Sequence, residues 1–331
     1  MRFLTVIVGA IFGVTFCKSS QHDVIVIQLL TVNYTNPCQR TFITVHIDPT
    51  LSKRNNKKKY NDTITNAELK IISQSLFDED KKNFLSLVNV NYQGFLNASN
   101  IGEDQAPESL LQIDTNILNN DPIITNMKRL YDNFEMNSSI DEIKTDEEEM
   151  EENDFIKLIM ETSVMKLTME ILAKAGFTSS DPHHHFKLIK TLWFDFYPRH
   201  RKLNRTSSGF EHVFLSEIKK GKIIGLHNWI YFGNVERHNQ LNYKGWLSKV
   251  KLRDRAQVVK VNFSLNGLNK TVSSFFIGTS PELEMALYTL CFHMRPNRSC
   301  RMTCDGIPFS ITTYSLTHDN RKFVATAYVN L

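Results

Sequence analysis

The stretch that decides the fold is Ser207–Trp229, which reads SSGFEHVFLSEIKKGKIIGLHNW. Short apolar runs flank the dipeptide Lys220-Gly221, and glycine in such a place is typical of a tight turn between antiparallel strands. Two strands joined by this turn would return the chain on itself and bring His212 and His227 to the same side. The stretch therefore predicts a β-hairpin associated with a pair of histidines.

The sequence beyond Pro198 continues in the same texture of short β-like runs broken by glycine and asparagine. The runs are rich in β-branched and aromatic residues, and they include Lys222–Gly225, Asn228–Phe232, Gln257–Phe263 and Phe323–Val329. One helix interrupts them, beginning with Pro281 in its first turn and ending near Phe292. This half of the chain is predicted to be built mainly of strands.

Upstream of Pro198 the apolar residues follow a helical period. A first helix begins at Thr65, which forms a capping box with Glu68. A second is predicted from roughly Asp154 to Ala175, and a third from about Asp181 to Tyr197.

The acidic run Asp146–Glu152 predicts a solvated loop, with a calcium site as the alternative. Helices first and strands later indicate an α+β fold, with a helical part over residues 62–198 packed on a β-rich part over residues 199–331 that consists of antiparallel sheets.

The charge is distributed unevenly. The full chain has a formal net charge of +4, but residues 199–331 contain 20 Lys and Arg against 8 Asp and Glu. The first 198 residues contain 19 against 27. Because Lys and Arg gain free energy by releasing the counterions of a polyphosphate, the β-rich part suits a polyanionic partner. The alternative is a basic face that only serves solubility.

The N-terminus has the features of a targeting signal. Arg2 precedes the mostly apolar run Phe3–Phe16, which is too short for a comfortable membrane span of roughly 20 residues. A cut ahead of Lys18 would remove residues 1–17 and leave an N-terminal extension over residues 18–61. No later run is long enough to span a membrane. We therefore expect a secreted protein without a membrane span, and we expect a monomer.

The glycosylation sequons and the cysteines support the expectation of a secreted protein. Eight Asn-x-Ser/Thr sequons stand at Asn33, Asn61, Asn97, Asn137, Asn204, Asn262, Asn269 and Asn297. After removal of the signal four cysteines remain, namely Cys38, Cys291, Cys300 and Cys304. Their spacing favours a disulfide within the 291–304 group and a second bridge from Cys38 to the remaining partner. A zinc site is the weaker alternative.

A resemblance to a known family suggests a function for the histidine pair. The motifs Ser208–Phe214, Gly225–Trp229 and Phe276–Phe292 resemble the poly(U)-specific endoribonucleases, often called EndoU. The likeness extends upstream to Leu76-Phe-Asp-Glu-Asp and downstream to Ala325-Thr-Ala-Tyr-Val, so it covers residues 62–331. On spacing alone, a histidine pair is more often structural than catalytic.

The resemblance assigns three catalytic residues. It implies that His227 is the general base on the 2′-OH, that His212 is the general acid, and that Lys270 stabilises the charged phosphorane. Histidine suits acid–base work because its pKa of about 6.5 leaves both forms populated near neutral pH. The substrate implied is single-stranded, uridine-rich RNA, and the product is a 2′,3′-cyclic phosphate.

The resemblance also implies supporting residues and an ion. Glu211 and Glu217 match acids around the family's site, where they either orient a histidine or hold a metal. Ser274 matches a hydroxyl associated with uracil recognition, and Thr313 with Tyr314 matches a late Thr/Tyr element that stacks on the base or ribose. A divalent cation is expected, Mn²⁺ first and Ca²⁺ as the alternative, with its ligands unknown.

Two other classes of function are the alternatives. An RNA-binding or interaction module without turnover would keep the basic surface, and the sequon at Asn269, directly before Lys270, offers a reason for lost activity. A serine hydrolase finds no support, since the chain contains no Gly-x-Ser-x-Gly elbow. The tandem His183-His184-His185 is a poor metal site because adjacent residues of a helix point in different directions.

Overall fold

The structure is a computed structural model that describes residues 64–199, 203 and 205–331. The signal peptide, the extension, Cys38 and the sequons at Asn33, Asn61 and Asn204 lie outside the described residues. The described residues belong to one compact unit. Its helices are α1 (Asn66–Glu79), α2 (Thr115–Leu118), α3 (Pro122–Arg129), α4 (Asp146–Met160), α5 (Ser163–Lys174), α6 (Pro182–Trp193), α7 (Gly209–Phe214), α8 (Trp229–Arg237) and α9 (Pro281–Met294).

The strands form four antiparallel sheets. They are β1 (Val88–Val90), β2 (Leu111–Ile113), β3 (Ser216–Lys219), β4 (Lys222–Gly225), β5 (Leu241–Leu252), β6 (Ala256–Leu265), β7 (Leu268–Ile277), β8 (Ser299–Cys304), β9 (Ile307–His318) and β10 (Arg321–Asn330). The sheet orders are β1-β2, β3-β4, β5-β6-β7 and β10-β9-β8. With the helical part packed against them, this is the expected α+β architecture.

The predicted helix starts hold where a capping side chain is present. Thr65 and Glu68 form the capping box of α1, and Asp181 caps α6 ahead of Pro182. The acidic run 146–152 was wrongly predicted as a loop, because Thr145 and Glu148 form a second capping box there. Carboxylates in the first turn of α4 are stabilised by the partial positive charge of a helix N-terminus.

The single helix predicted over residues 154–175 is also wrong. Helix α4 ends at Met160 and α5 begins at Ser163, with Thr162 as its N-cap. The hydroxyl of Thr162 accepts the Met165 N–H. A capping residue in a run of helix-forming residues thus divides it into two helices that can turn against each other.

The β-rich part contains two helices that were not predicted. Asn228–Phe232 was expected to be a strand, but Asn228 caps α8 and its Oδ1 accepts the Ile230 and Tyr231 N–H groups. Helix α7 precedes the hairpin, and Ser208 caps it. The predicted hairpin is present as β3 and β4, and it lies between the two histidines without containing either.

Helix α9 is buried along almost its whole length and connects the parts of the fold. It contacts α1, α3 and α5 on the helical side and β9 and β10 on the other. Cys291 near its end is bonded to Cys300 at the start of β8, which confirms the bridge predicted within the 291–304 group. Cys304 is a buried thiol within the described part of the chain. No helix described here has the length and apolar character to cross a membrane.

Candidate active site

Two short backbone segments hold the histidines close together. His212 lies on α7, and the chain after β4 returns so that the Leu226 N–H donates to the His212 carbonyl at 3.1 Å. The His227 N–H donates to the Val213 carbonyl at 2.8 Å. The two imidazole rings lie 6.1 Å apart between centroids, and each histidine is 7% exposed. The pair therefore forms one centre that opens to solvent at a small surface.

Gly225 makes this approach possible. It has a φ of +75°, and a Cβ at this position would lie 1.9 Å from the His212 carbonyl oxygen. Leu226 follows with a φ of +59°, a left-handed conformation that is uncommon for a branched side chain. Strained backbone of this kind persists where the surrounding packing fixes it, often at functional sites.

The surroundings of His227 fix its tautomer. Its Nδ1–H donates to the Ser274 carbonyl at 2.9 Å, and the Ser273 Oγ lies 3.3 Å from the same nitrogen. The ring stacks on Tyr328 with 5.2 Å between centroids. Burial, followed by the charges of Lys270 and His212, lowers the pKa of His227 well below its usual value. His227 is thus neutral at pH 7 with Nε2 as a free acceptor, as a base requires.

His212 faces a buried ion pair. Its Nδ1 lies 3.5 Å from Glu217 Oε1, and Arg199 Nε lies 2.6 Å from the other carboxylate oxygen. Ser207 Oγ also donates to Glu217. Burial and the Arg199 charge lower the pKa of His212 to about 4, although Glu217 acts in the opposite direction. Glu217 itself has a lowered pKa despite its burial, because Arg199 and His212 stabilise the carboxylate.

Lys270 supplies a cation between these groups. Its Nζ donates to the Gly225 carbonyl, on the same short segment that approaches His212. Burial lowers the pKa of Lys270 to about 8, so the ammonium is still the main form at neutral pH. An ammonium ion with little competing water is well suited to stabilise a charge that develops on phosphate oxygens.

Glu211 stabilises the first turn of α7 within this centre. One of its oxygens accepts the Ser208 N–H and completes the capping box of α7. Its Oε1 is buried and has no hydrogen-bond partner among the described residues. Burial and the neighbouring Glu217 raise the pKa of Glu211 well above its usual value, which favours a neutral carboxyl group. Of the two predicted acids, Glu217 is the one beside a histidine of the pair.

The three predicted uracil contacts lie at different depths. Ser274 is buried, its hydroxyl donates to the Val329 carbonyl, and its own carbonyl holds His227. Thr313 is fully buried on the opposite face of β9 from Tyr314, so it offers no surface to a base. Tyr314 is 47% exposed and interacts with the hydroxyl of Tyr328. The structure thus brings Tyr314 to the edge of the centre through Tyr328.

Arg199 and Tyr328 were missed by the sequence analysis. Arg199 donates to the Tyr197 hydroxyl and the Ala325 carbonyl as well as to Glu217, which ties the segment after α6 to β3 and β10. No spacing pattern marks an arginine 13 residues before His212. Tyr328 carried a signal, because it stands in the family-like run Ala325-Thr-Ala-Tyr-Val, where alternation along a strand places it beside Thr326 on one face.

The centre does not fit a protein-bound metal ion. Within the described residues no group of three His, Cys, Asp or Glu side chains is placed to hold one. Glu217 is engaged by Arg199 and Ser207, and Glu211 caps a helix. The residues of the acidic run and the three tandem histidines do not form such a group either.

Comparison with known proteins identifies the family of the chain. The family described as endoribonuclease XendoU matches residues 68–329. The chain belongs to this family. It is an endoribonuclease, and the family resemblance seen in the sequence is confirmed.

Individual XendoU-family relatives cover most of the chain. The "Uridylate-specific endoribonuclease EndoU" of Drosophila melanogaster is 35% identical over 261 residues, which cover 78% of this chain and 80% of that protein. The "Uridylate-specific endoribonuclease" of Bos taurus is 35% identical over 276 residues, with 81% and 66% covered. The solved structure of XendoU, described as a splicing independent snoRNA processing endoribonuclease, has a TM-score of 0.66 at 28% identity and covers 80% of this chain and 97% of its own.

Proposed function

We propose that this endoribonuclease cleaves single-stranded RNA at uridines and leaves 2′,3′-cyclic phosphate ends. The observation that carries the proposal is the histidine pair, 6.1 Å apart between ring centroids, with the Nδ1–H of His227 held by the Ser274 carbonyl. The charge of Lys270, which is bonded to the Gly225 carbonyl, acts on both rings. The names of the relatives support the choice of uridine.

The proposed reaction is a transesterification within the RNA. Nε2 of His227 takes the proton from the 2′-OH, and the 2′-oxygen attacks the adjacent phosphorus. The bond from phosphorus to the 5′-oxygen breaks, and His212 gives its proton to that oxygen. The ammonium group of Lys270 stabilises the additional negative charge on phosphorus in the transition state.

His212 needs a proton for this role, although its pKa in the free protein is about 4. A bound phosphodiester places a negative charge next to the ring, and an opposite charge within a few ångströms favours the protonated form of histidine. Glu217 already acts in this direction from the Nδ1 side. Substrate binding therefore prepares the acid, while His227 stays neutral beside the Lys270 cation.

Further properties are proposed on the family resemblance and the sequence. They are secretion as a monomer through the N-terminal signal, and stimulation by a divalent cation, Mn²⁺ or else Ca²⁺. Since no group of three His, Cys, Asp or Glu side chains in the described residues is placed to hold an ion, such an ion would act on the RNA. Activity after dialysis against EDTA, then with each ion restored, tests this dependence.

The test of the function uses a fluorogenic RNA that contains one uridine, with and without Mn²⁺. Wild-type protein should cleave 3′ of the uridine, and mass spectrometry should show a cyclic phosphate. His227→Ala should lower the rate at least about 100-fold, because it removes the general base. His238→Ala is the matched control, since His238 is exposed at the end of α8. A linear 3′-phosphate as the first product, or unchanged activity of His227→Ala, would refute the mechanism.

A further inference from the structure

The β3–β4 hairpin carries three lysines at its tip that the catalytic centre does not use. Lys219 and Lys222 end the two strands, and Lys220 with Gly221 forms the turn. Lys220 has a φ of +50° and Gly221 a φ of +69°, the two left-handed residues of a type I′ turn. A two-residue turn of this type fixes the register, so Lys219 and Lys222 lie directly opposite each other.

The hairpin is braced where it leaves the centre. On the outer side of β3, the Ile218 N–H donates to the Met136 carbonyl at 2.6 Å, and the Ser138 N–H donates to the Ile218 carbonyl at 3.0 Å. On the other strand, Gly225 accepts the Lys270 ammonium. The lysines therefore stand on a supported β-ribbon whose base is part of the catalytic centre.

Strand alternation places the lysine pair on the catalytic face of this ribbon. Glu217 and Lys219 are two residues apart on β3 and share one face, and Lys222 joins that face because it pairs with Lys219. Two residues along a strand span roughly 7 Å. Glu217 at the base lies 3.5 Å from His212 Nδ1, and exposure increases from the buried Glu217 to the exposed Lys222.

Within the described part of the chain, Lys219 and Lys222 have no partner of opposite charge. Among the described residues no carboxylate lies within ion-pair distance of Lys219, Lys220 or Lys222. Like charges directly opposite each other on a sheet are destabilising. A phosphate placed between the two side chains would relieve this repulsion and release its own counterions.

We infer that Lys219 and Lys222 form a phosphate subsite that binds the RNA backbone next to the scissile bond. The inference rests on the proposed function, since it assumes that a scissile phosphate lies between His212 and His227. The subsite contributes to binding of RNA longer than a dinucleotide and takes no part in the bond-making step.

The test compares two substrates in the double variant Lys219→Gln/Lys222→Gln. The dinucleotide UpA has only the scissile phosphate, whereas the pentanucleotide AAUAA has flanking ones. For the pentanucleotide we expect kcat/KM to fall about tenfold, mainly through KM. Its dependence on salt should weaken, with the slope of log(kcat/KM) against log[salt] reduced by about 0.7, the value for one lost phosphate contact on a single strand. For the dinucleotide the loss should shrink to less than about twofold.

The control variant is Lys70→Gln/Lys187→Gln, which removes the same charge from exposed positions on α1 and α6. It should change neither substrate by more than about twofold. Equal losses on both substrates in the hairpin variant, or no loss on the pentanucleotide, would overturn the subsite.

A failure of the proposed function has a different signature, because wild-type protein would then cleave neither substrate. Fluorescence anisotropy with the uncleavable 2′-deoxyuridine pentanucleotide still measures the subsite in that case. The hairpin variant should bind it more weakly and with a smaller salt dependence than wild type. Equal affinities would refute the subsite independently of catalysis.

Discussion

At the scale of single residues, the centre depends on a glycine, because a Cβ atom at that position would collide with the backbone. Gly225 and Gly221 both have positive φ, +75° and +69°, and they stand four residues apart on the same hairpin. Only Gly225 faces another backbone, since an added Cβ would lie 1.9 Å from the His212 carbonyl, whereas Gly221 has nothing within 4 Å. A side chain at Gly221 would therefore meet backbone strain alone, whereas a side chain at Gly225 would meet both strain and a steric clash.

Substitution by alanine should distinguish these two effects. Gly221→Ala should cost about 1–2 kcal/mol, the left-handed strain alone, and should retain catalysis. Gly225→Ala should lower the free energy of unfolding by about 3–5 kcal/mol, because backbone must shift as well, and should abolish activity by displacing His212. Urea unfolding and kcat/KM measured at low temperature check both variants. Equal losses of stability and activity in the two variants would mean that the close approach of Gly225 to His212 contributes to neither.

At the scale of secondary-structure elements, the start of α8 holds His227, the proposed general base, in position. Asn228 caps the helix with its Oδ1 and donates through Nδ2 to Glu284 Oε2 at 3.2 Å. The next residue, Trp229, donates from its ring to the Thr279 carbonyl at 2.9 Å. His227 is therefore held on its C-terminal side by the segment that begins α9.

Removal of this cap should affect catalysis as well as stability. Asn228→Ala should cost about 2 kcal/mol, because a cap is lost and a buried hydrogen bond with it, and it should lower kcat by moving His227. Thr145→Ala is the matched control, since it removes the cap of α4 far along the chain from the histidines. We expect it to cost about 1 kcal/mol with kcat unchanged. An unaffected kcat in Asn228→Ala would contradict the positioning role.

Comparison of the individual elements shows where prediction from the sequence succeeds and where it fails. Local signals were sufficient for the cap of α1, for the hairpin turn at Lys220-Gly221 and for the short-range disulfide. They failed at Asn228, because a helix buried on all sides has the same aromatic, β-branched composition as a strand. Local signals also failed for Tyr328. Its contact with His227 depends on how β10 packs on β7, and no local sequence pattern predicts that packing.

At the scale of the whole molecule, several buried carboxyl groups have pKa values well above the usual value for Glu. Burial is the largest cause in each case, and it raises the pKa of Glu142 to about 7, of Glu236 to about 7 and of Glu284 to about 8. A carboxyl with a raised folded pKa contributes stability that is complete below its unfolded pKa and is lost as pH rises through the folded value. Here that loss extends from pH 4.5 to about 8.

The buried histidines act in the opposite sense at lower pH. The pKa values of His212 and His293 are lowered to about 4, so stability rises with pH from about 4 to the unfolded value near 6.5 and then levels off. The melting temperature should therefore fall between pH 7 and pH 8.5, where the carboxyl groups dominate.

Glu284→Gln should make this fall smaller, because the amide is neutral at every pH and replaces the buried acid. The expected difference is on the order of 1 kcal/mol per pH unit near pH 7.5. Calorimetry from pH 6 to 9 measures the difference, with Glu147→Gln at an exposed site of α4 as the control. A variant as sensitive to pH as wild type would show that Glu284 does not titrate in this range.

The hydrogen bonds from Leu226 to His212 and from His227 to Val213 join residues only 14 apart in the sequence. A loop of this length closes at little entropic cost, whereas Lys270 and Tyr328 must come from chain segments 43 and 101 residues beyond His227. The centre is therefore assembled from a local half and a remote half. The two histidines can therefore approach each other as soon as residues 207–229 have been synthesised, whereas the contact of Tyr328 with His227 forms only after β10 packs on β7.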